Sequence, residues 1–570
     1  MENKKVAKIF SDIAKILELK GENFFRVRAY EKASQIIENL TEDIKILVQE
    51  GKLETLPGIG KDLAKKIEEI VREGTLSQYE KLKREVPSGL LKMMEIPGLG
   101  AKTIKLIYEC LKIDSLEKLE EAAREGKLKR LEGIKEKTEE NILRGIEIFK
   151  KGKERKPLYI AEEVAGYFLK ELKKLKEVKK IEIAGSLRRK KETVKDIDIL
   201  VVSPYPEKVM KKFISLRYVE RVIASGDTKS SVISSSDLQV DLRVVPDTSF
   251  GSALLYFTGS KEFNIKFRQI VLRKGWKINE YGLFNGKNKK IAGRSEEEIF
   301  HRLGMQYIIP ELREDRGEVE LALEGRLPRV VELKEVKGDF HIHSSYSDGA
   351  SSPREIALKA KELGYKFVGI CDHSQGLKVA KGLSEKDVEK KIEEIKKLNK
   401  KLRGIKILCG TEVDILNDGS LDYPGYILKK FDLVIAAIHY GFKQTKHQLT
   451  KRIVSACKNK YVDIIAHPTG RLFGVREEYP LEWREVFKAA KDNQIALEIN
   501  TYPERLDLND LNCIRAKKEG IKFALGSDAH FLDQMHSLRF GVAIARRAGL
   551  ERKDIINCWA WDEIIKWLKR

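Results

Sequence analysis

The first 150 residues place apolar and charged positions with the spacing of amphipathic helices. Leucine and isoleucine recur every three or four residues among abundant glutamate and lysine, so each helix would present one apolar face to a core. Two similar loops interrupt the pattern, Leu56–Gly60 and Ile96–Gly100, and each precedes a lysine-bearing helical segment, Lys61–Val71 or Ala101–Leu111. The pattern therefore predicts an all-helical N-terminal region.

Two apolar runs in the middle of the chain carry aspartates. Asp196–Val202 begins with Asp196 and Asp198, which would lie on one face of a β-strand because they are two residues apart. Asp241 belongs to a second run, Leu238–Val245. If the two strands pair, three carboxylates converge, and oxygen ligands are those that Mg²⁺ prefers. The alternative is that each aspartate is an ordinary strand-end or turn residue.

A glycine-serine turn with two arginines, Gly185-Ser186-Leu187-Arg188-Arg189, precedes the first of these runs. Arginine suits bidentate contact with phosphate, so Ser186 and Arg189 are candidates to hold a triphosphate. Two Mg²⁺ ions beside it would activate an attacking hydroxyl and stabilise a pyrophosphate leaving group. The turn therefore favours the metal site over the alternative.

The C-terminal region alternates apolar runs with helical segments such as Pro353–Leu363 and Lys386–Leu402. The alternation predicts an α/β barrel of seven parallel strands, whose carboxyl ends would carry the functional residues. One run, Ile495–Asn500, has no histidine at its end. Each of the other six runs contains histidine or acidic residues or is directly followed by them. These six runs are Asp339–Ser344, Lys366–Asp372, Ile405–Thr411, Asp432–Ile438, Val462–Ala466 and Lys522–Ser527.

The composition of the chain indicates a polyanionic binding partner. Among 570 residues, 110 Lys and Arg against 88 Asp and Glu give a net charge of +22, which favours phosphate contacts. No apolar run is long enough to span a membrane, and the charged start is not a signal peptide. The six dispersed cysteines are expected to be reduced thiols of a cytoplasmic protein.

The middle of the chain resembles DNA polymerase family X, the polymerase beta-like repair enzymes. Besides the aspartates, Tyr256-Phe257-Thr258-Gly259-Ser260 is similar to the family's nucleotide-sugar motif, and Asn279-Glu280-Tyr281 to a thumb motif. The resemblance implies that Asp196 and Asp198 bind two Mg²⁺ ions, that Asp241 binds the one activating the primer, and that Arg243 orients these carboxylates. The implied nucleotide contacts are Gly185, Ser186, Arg189, Arg155, Tyr256, Phe257, Gly259, Ser260 and Asn264, with Arg268 on the DNA.

The N-terminal loops resemble the helix-hairpin-helix motif, which grips the DNA backbone without reading bases. Their glycines, Gly58, Gly60, Gly98 and Gly100, would let backbone amides approach a phosphate at a helix N-terminus. Leu131–Lys135 is a weaker third copy. An ordinary turn between helices is the alternative for any single copy.

Lys66 aligns with the Schiff-base lysine of the family's 5′-deoxyribose-phosphate lyase, and Tyr30 with its supporting tyrosine. Asp62, however, stands where the beta-type enzymes carry a phosphate-binding lysine. A carboxylate there would weaken phosphate binding and raise the pKa of the nucleophile. Two interpretations stay open: a lyase lysine, or a helix lysine that at most contacts phosphate.

The C-terminal histidines resemble the metal ligands of the polymerase and histidinol phosphatase (PHP) family. A lone buried histidine is more often a hydrogen-bonded core residue, but several at strand ends with carboxylates need pairing or a metal. The resemblance implies a trinuclear site suited to Mn²⁺ or Zn²⁺, with Arg471 as a candidate phosphate clamp. Its nine ligands would be His341, His343, Asp348, His373, Glu412, His439, His467, Asp528 and His530.

The sequence is thus identified as a member of the bacterial and archaeal family X polymerases with a C-terminal PHP domain. The resemblance implies template-directed synthesis on gapped or primer–template DNA from dNTPs in base excision repair, with 3′–5′ exonuclease and abasic-site endonuclease activities, in a monomer. Two alternatives remain: a PHP-type phosphatase of small metabolites tethered to DNA, or a non-enzymatic DNA-end scaffold. The expected domains are lyase-like 1–80, fingers-like 81–152, palm 153–246, thumb 247–315, linker 316–337 and PHP 338–570.

Overall fold

A computed structural model describes residues 2–38, 44–56, 58–96, 99–151, 155–473 and 476–568. The chain divides into two compact units, Met1–Arg155 and Lys156–Arg570. The division falls close to the predicted boundary between the helical region and the palm. The finer domain boundaries stay predictions.

The first unit is helical, as the sequence pattern predicts. The apolar positions of its amphipathic helices form one core that includes Phe10, Ile13, Ile67 and Ile104, all fully buried. Its helices are α1 (Glu2–Lys20), α2 (Phe24–Glu38), α3 (Ile44–Gln49), α4 (Lys61–Glu73), α5 (Ser77–Glu85), α6 (Ser88–Met93), α7 (Ala101–Leu111), α8 (Leu116–Arg124) and α9 (Glu136–Lys151).

The second unit begins with a five-stranded sheet of order β2-β4-β7-β6-β5, in which only β4 and β7 are parallel. A short antiparallel pair, β1 with β3, lies outside it, and β3 falls between β2 and β4 in the chain. The elements are β1 (Lys156–Pro157), α10 (Leu158–Leu172), β2 (Lys180–Ile183), α11 (Gly185–Arg188), β3 (Thr193–Val194), β4 (Asp196–Val202), α12 (Pro206–Ile214), β5 (Val219–Ser225), β6 (Lys229–Ser234) and β7 (Gln239–Val244).

A smaller subdomain follows, with a three-stranded antiparallel sheet and its own core around Phe263, Phe267 and Phe300. Residues 316–337, expected to be a linker, are ordered and contain a helix with buried Val319 and Ala322. The elements are α13 (Phe250–Thr258), α14 (Lys261–Arg273), β8 (Lys277–Asn279), β9 (Gly282–Phe284), β10 (Lys290–Ala292), α15 (Glu296–Leu303) and α16 (Glu318–Leu323).

The C-terminal part is a sheet of seven strands in chain order, all parallel in the described residues. Hydrogen bonds from His343 N to Ala529 O (2.9 Å) and from Asp528 N to His341 O (2.8 Å) nearly close it into a barrel. The prediction of seven parallel strands is confirmed. The strands are β11 (Gly338–Ile342), β12 (Phe367–His373), β13 (Lys406–Asp414), β14 (Leu433–Ala437), β15 (Ile464–Ile465), β16 (Ala496–Asn500) and β17 (Phe523–Gly526).

Helices cover the outside of this sheet, and their apolar faces pack against buried strand residues such as Val368 and Ile407. They are α17 (Pro353–Glu362), α18 (Glu385–Lys401), α19 (Gly425–Leu428), α20 (Lys446–Cys457), α21 (Trp483–Asp492), α22 (Asp510–Lys518), α23 (Leu538–Arg547) and α24 (Trp561–Leu568). No helix in the described ranges is long and apolar enough to cross a membrane. All six cysteines are free thiols.

Candidate functional sites

The three palm aspartates lie on two neighbouring strands. Parallel pairing of β4 with β7 sets Asp198 directly opposite Asp241, and Asp196 lies two residues before Asp198 on the same face. All three are half-buried, so the face they share is open to solvent. Gln239 Nε2 donates to Asp241 Oδ1 over 2.8 Å and fixes that carboxylate. The strand pairing on which the sequence prediction depended is therefore present.

The electrostatics of this face favour a cation. Burial, followed by the charges of Asp196 and Asp241, raises the pKa of Asp198 to about 7. Carboxylates that share a site repel one another unless a cation or a proton is present, and an all-oxygen donor set suits Mg²⁺. These residues therefore fit the implied ions.

Gly185 owes its identity to this site. Its φ is +67°, and a Cβ built there would lie 2.5 Å from Asp198 Oδ2. Any side chain would displace the carboxylate and strain the turn. Ser186 follows, half-buried, in the first turn of α11. The structure thus brings the glycine-serine turn against the aspartates.

The two arginines of this turn form structural ion pairs. Arg188 makes a bidentate contact with Glu296 at 2.8 and 2.7 Å. Arg189 is only 8% exposed; its Nε donates to Glu314 over 3.0 Å and its Nη1 donates to the Thr258 carbonyl. A guanidinium so engaged has little capacity left for a ligand. The geometry therefore does not favour the predicted contact of Arg189 with a triphosphate, and it assigns this side chain to holding the turn before Gly259.

The nucleotide-sugar motif and the predicted DNA contacts lie together on α13 and α14. Tyr256 is exposed and meets Phe257 edge-on at 5.1 Å between ring centroids. Asn264 Nδ2 donates to the Tyr256 carbonyl over 2.7 Å, and both residues line a cleft with Arg268 and Asn279. Ser260 caps α14 by accepting from Phe263 N. The motif and the predicted contacts Asn264 and Arg268 therefore lie side by side around one narrow cleft.

Arg243 stacks on the motif as well as facing the aspartates. Its guanidinium carbon lies 4.5 Å from the Phe257 ring centroid, and its buried Nε has no hydrogen-bond partner among the described residues. Its charge lowers the pKa of Asp198 against the stronger raising effects of burial and the other aspartates.

Arg155, also predicted to contact nucleotide, is exposed at the end of the first unit.

The glycine loops of the first unit share one backbone hydrogen bond between described residues. Ile59 N donates to Leu56 O (3.0 Å), Leu99 N to Ile96 O (3.1 Å) and Ile134 N to Leu131 O (3.0 Å). Gly60 and Gly100 are the N-cap residues of α4 and α7 without a side-chain cap, which leaves helix amides for an anion. Gly98 lies outside the described residues.

Gly58 supports the predicted role of glycine in the first loop, whereas the third copy of the motif differs from the other two. The φ of Gly58 is +94°, which suits glycine alone, and a Cβ there would meet Ile36 and Lys32 at 3.0 Å. In the third copy, Glu139 accepts from Lys129 N over 3.0 Å and Glu136 pairs with Lys129 at 2.7 Å. Carboxylates at the start of α9 oppose a phosphate there, so this copy is a structural repeat without the anion site.

Lys66 pairs with the carboxylate that the sequence singles out. Its Nζ donates to Asp62 Oδ2 over 2.5 Å and to the hydroxyl of buried Tyr30 over 2.8 Å. Burial lowers the pKa of the Lys66 amine, but these two hydrogen bonds outweigh burial and raise it. The amine is therefore protonated near neutral pH, which opposes attack on an aldehyde.

We accordingly predict weak lyase activity. Borohydride trapping on an incised abasic substrate should give little crosslink at neutral pH and more at alkaline pH, where the amine deprotonates. Asp62→Lys removes the ion pair and adds a cation, so it should increase trapping and tighten binding to a 5′-phosphorylated gap. Lys65→Ala, which alters an exposed neighbouring lysine, is the matched control. Robust wild-type crosslinking that disappears in Lys66→Ala would contradict the prediction.

The nine predicted histidine, aspartate and glutamate ligands form one connected cluster at the carboxyl ends of the barrel strands. Glu412 lies at its centre, 2.8 Å from His467 Nε2, 3.2 Å from His439 Nε2 and 3.0 Å from His373 Nδ1. Three groups among the described residues have ligand atoms within 4.8 Å of one another. They are His343, Asp348, His373 and His530; His341, His343 and Asp528; and His373, Glu412 and His439.

The protonation of the histidines suits metal binding at two positions in particular. Burial and the neighbouring His373 lower the pKa of His343 to about 4, and burial with the charge of Arg505 lowers that of His467 to about 3. Both rings are therefore neutral at pH 7, the form that binds metals. For His439, Glu412 and Asp414 outweigh burial and raise the pKa to about 10.

Buried polar atoms without partners show that the cluster fits the implied ions. Among the described residues, Nδ1 of His343 and Nδ1 of His467 are buried without a hydrogen-bond partner; Nδ1 of His373 and Oε2 of Glu412 lie 3.0 Å apart but are not hydrogen-bonded. Such groups are costly unless another ligand satisfies them. The mixed nitrogen and oxygen donor set matches transition metals rather than Mg²⁺ alone. The palm aspartates, by contrast, do not form such a tight group.

Several supporting residues were not predicted as site residues. Glu498 Oε1 lies 2.8 Å from His341 Nδ1, and Glu498 Oε2 accepts from His467 N over 2.7 Å. Asp414 lies 2.5 Å from His439 Nδ1, an arrangement that orients a metal-binding ring. The available signal was a carboxylate inside the otherwise apolar run Ile495–Asn500.

A buried ion pair holds the loop that carries His343 and Asp348. Lys391 Nζ lies 2.6 Å from Asp372 Oδ2, and both side chains are fully buried. Asp372 Oδ1 in turn accepts from Ser344 N over 2.7 Å and from Ser347 Oγ over 2.8 Å. These hydrogen bonds and the ion pair fix the position of the loop that carries His343 and Asp348.

Arg471, the predicted phosphate clamp, is engaged elsewhere. Its Nη2 and Nη1 contact Glu192 of the palm at 2.7 and 3.0 Å, and its Nε donates to the Arg505 carbonyl over 2.7 Å. The side chain is 7% exposed. The geometry therefore assigns Arg471 to joining the palm to the barrel rather than to binding substrate.

Family models match four parts of the chain. They describe a helix-hairpin-helix domain over residues 1–76, a SAM-like helix-hairpin-helix tandem over 90–147, a DNA polymerase beta thumb over 253–314 and a PHP domain over 339–502. The fold and the two sites thus define a polymerase-beta-type nucleotidyltransferase fused to a PHP domain.

A full-length relative shows the family. The chain is 39% identical over 573 residues to the DNA polymerase/3′-5′ exonuclease PolX of Bacillus subtilis, with all of both chains covered. It therefore belongs to the PolX family of family X DNA polymerases. A probable phosphatase of Thermoanaerobacter sp. is 32% identical over 230 residues, 38% of this chain and 89% of that protein.

Proposed function

We propose that this chain is a family X DNA polymerase whose PHP domain is a 3′–5′ exonuclease. The observation that carries the proposal is that one chain holds two donor sets: three palm carboxylates on paired strands, and nine PHP residues of which eight form the three ligand groups and His467 contacts Glu412. The full-length similarity to PolX supports both activities at once.

In the palm, Asp196, Asp198 and Asp241 would hold Mg²⁺, which supplies charge to neutralise the triphosphate and to acidify the primer 3′-hydroxyl. Arg243 and Gln239 keep the carboxylates in position, and Gly185 leaves room for Asp198. Ser186 is the retained triphosphate contact. Tyr256 and Phe257 would pack on the deoxyribose, with Gly259 and Ser260 shaping their turn and Asn264 and Arg268 reaching the base pair and template.

In the PHP domain, the nine residues would hold Mn²⁺ or Zn²⁺, which supplies hydroxide and stabilises charge on phosphate. Glu498 and Asp414 orient the rings of His341 and His439. The Lys391–Asp372 pair keeps the His343 loop rigid. The domain would trim 3′ ends and cut at abasic sites.

The finer assignments belong to the same proposal. The partners would be gapped or primer–template DNA and dNTPs, with Gly58, Gly60, Gly98 and Gly100 on backbone phosphates and Tyr30 supporting Lys66. We propose a cytoplasmic monomer that acts in short-gap base excision repair. The ordered segment 316–337 would keep the thumb and PHP domains in one body.

A primer–template assay tests the proposal. With dNTPs and Mg²⁺, the full chain should extend the primer according to the template; with Mn²⁺ and no dNTPs, it should shorten the primer from its 3′ end. Histidinol phosphate and p-nitrophenyl phosphate serve as comparison substrates, because relatives of the PHP part alone are named probable phosphatases. Turnover of these monoesters with no action on DNA would favour the tethered phosphatase. Binding of DNA ends without any turnover would favour a scaffold.

A further inference from the structure

Arg505 lies beside the PHP cluster, where it forms an ion pair with Asp528 but leaves two guanidinium nitrogens without a hydrogen bond to the described residues. Its Nε and Nη1 are buried without a hydrogen-bond partner among the described residues. The Nε lies 3.4 Å from Asp528 Oδ2, and the side chain is 14% exposed. Buried donors without an acceptor are destabilising, so this arrangement calls for an acceptor supplied from outside the protein.

A second arginine strengthens the positive potential at this position. The guanidinium carbon of Arg476 lies 3.9 Å from the Phe442 ring centroid, and its Nε donates to the Gly470 carbonyl. Arg476 is thereby bound to the loop that follows His467, and Arg471 of the same loop donates to the Arg505 carbonyl over 2.7 Å. Burial, followed by the charge of Arg505, lowers the pKa of Arg476. Like charges in proximity favour an anion between or beside them.

The neighbouring arginine does not have this capacity. The guanidinium of Arg471 donates hydrogen bonds to Glu192, Glu478 and the carbonyls of Arg505 and Leu506. Arg505 therefore differs from Arg471 in having two buried donors that make no hydrogen bond to the described residues, and it differs from the histidines in being unable to bind a metal. A phosphate oxygen matches its fork geometry.

We propose that Arg505 binds the phosphate of the scissile bond at the DNA 3′ end, with Arg476 adding positive charge beside it. The inference rests on the exonuclease function proposed above and names a substrate contact for it. A guanidinium in this place would hold a non-bridging phosphate oxygen next to Asp528 and favour the charge that develops during hydrolysis.

The test compares Arg505→Ala, Arg505→Lys and the control Arg484→Ala, which removes one exposed positive charge from the start of α21. Each full-length variant is assayed with Mn²⁺ for 3′–5′ degradation of an oligonucleotide, for inhibition by inorganic phosphate, for bound manganese and for nucleotide addition. Arg505→Ala should lower kcat/KM of degradation by roughly 10- to 100-fold and weaken phosphate inhibition similarly. Nucleotide addition and bound manganese should not change.

Arg505→Lys should retain part of the activity, because lysine keeps the charge but loses the fork; Arg484→Ala should match the wild type. Unchanged degradation and phosphate inhibition in Arg505→Ala would overturn the proposal, as would a loss that follows loss of manganese. If Arg505→Ala also lacks nucleotide addition, it is treated as misfolded and the test depends on Arg505→Lys. Wild-type degradation and wild-type phosphate inhibition in Arg505→Lys would then overturn the proposal. Degradation that survives loss of His341 and His343 would instead refute the exonuclease assignment itself.

Discussion

Replacing Asp241 by alanine should abolish nucleotide addition while leaving 3′–5′ degradation intact. Asp241 lies opposite Asp198 on the paired strands β4 and β7, where it shares the proposed Mg²⁺ site. Without it, the site loses part of its oxygen ligands and the developing charge on phosphate is exposed. We expect a loss of about 10³-fold or more in the rate of addition, measured by single-nucleotide extension of a gapped substrate.

The control for this variant is Asp237→Ala, which removes an exposed aspartate of the same sheet from the turn between β6 and β7. It should extend primers like the wild type. The nuclease assay of Asp241→Ala uses the same DNA without dNTPs. If that variant stays folded and DNA-bound yet also loses degradation, hydrolysis runs at the palm and the PHP domain has another role.

The barrel could be predicted from the sequence because its strands have a strong local signal. β12 is fully buried along its whole length and ends in a histidine, so an apolar run followed by a polar residue marks it. The palm sheet was predicted only at its two central strands. Its edge strand β5 has half-exposed and exposed residues throughout, and an edge strand with one solvated face gives a weak pattern.

The clustering of the nine candidate ligands was predictable for a related reason, since residues at the carboxyl ends of parallel strands meet at one end of a barrel; that they bind metal stays a prediction. The roles of the arginines were not predictable. Arg189 pairs with Glu314, 125 residues away, and Arg471 with Glu192, 279 residues away. A sequence pattern cannot reveal which distant carboxylate forms an ion pair with a guanidinium. Arg189 and Arg471 were therefore both predicted as phosphate contacts. Glu498 was missed because a single carboxylate in a strand carries no motif.

Replacing His341 and His343 together by alanine should give the opposite separation of activities. Both rings are buried, 3.1 Å apart between their Nε2 atoms, and His343 belongs to two of the three ligand groups. Losing two nitrogen donors should empty at least part of the site, with a drop in degradation of more than about 100-fold. The variant should still add nucleotides in Mg²⁺, because the palm carboxylates are chemically independent of the histidines.

A direct metal measurement separates this result from misfolding. The double variant should bind fewer manganese ions per chain than the wild type, whereas His301→Ala, outside the cluster on α15, should bind the same number. Asp241→Ala should keep the manganese of the PHP cluster, since it changes none of the ligands there. Undiminished degradation in the double variant, with extension intact and manganese lost, would show that trimming does not depend on the PHP metals.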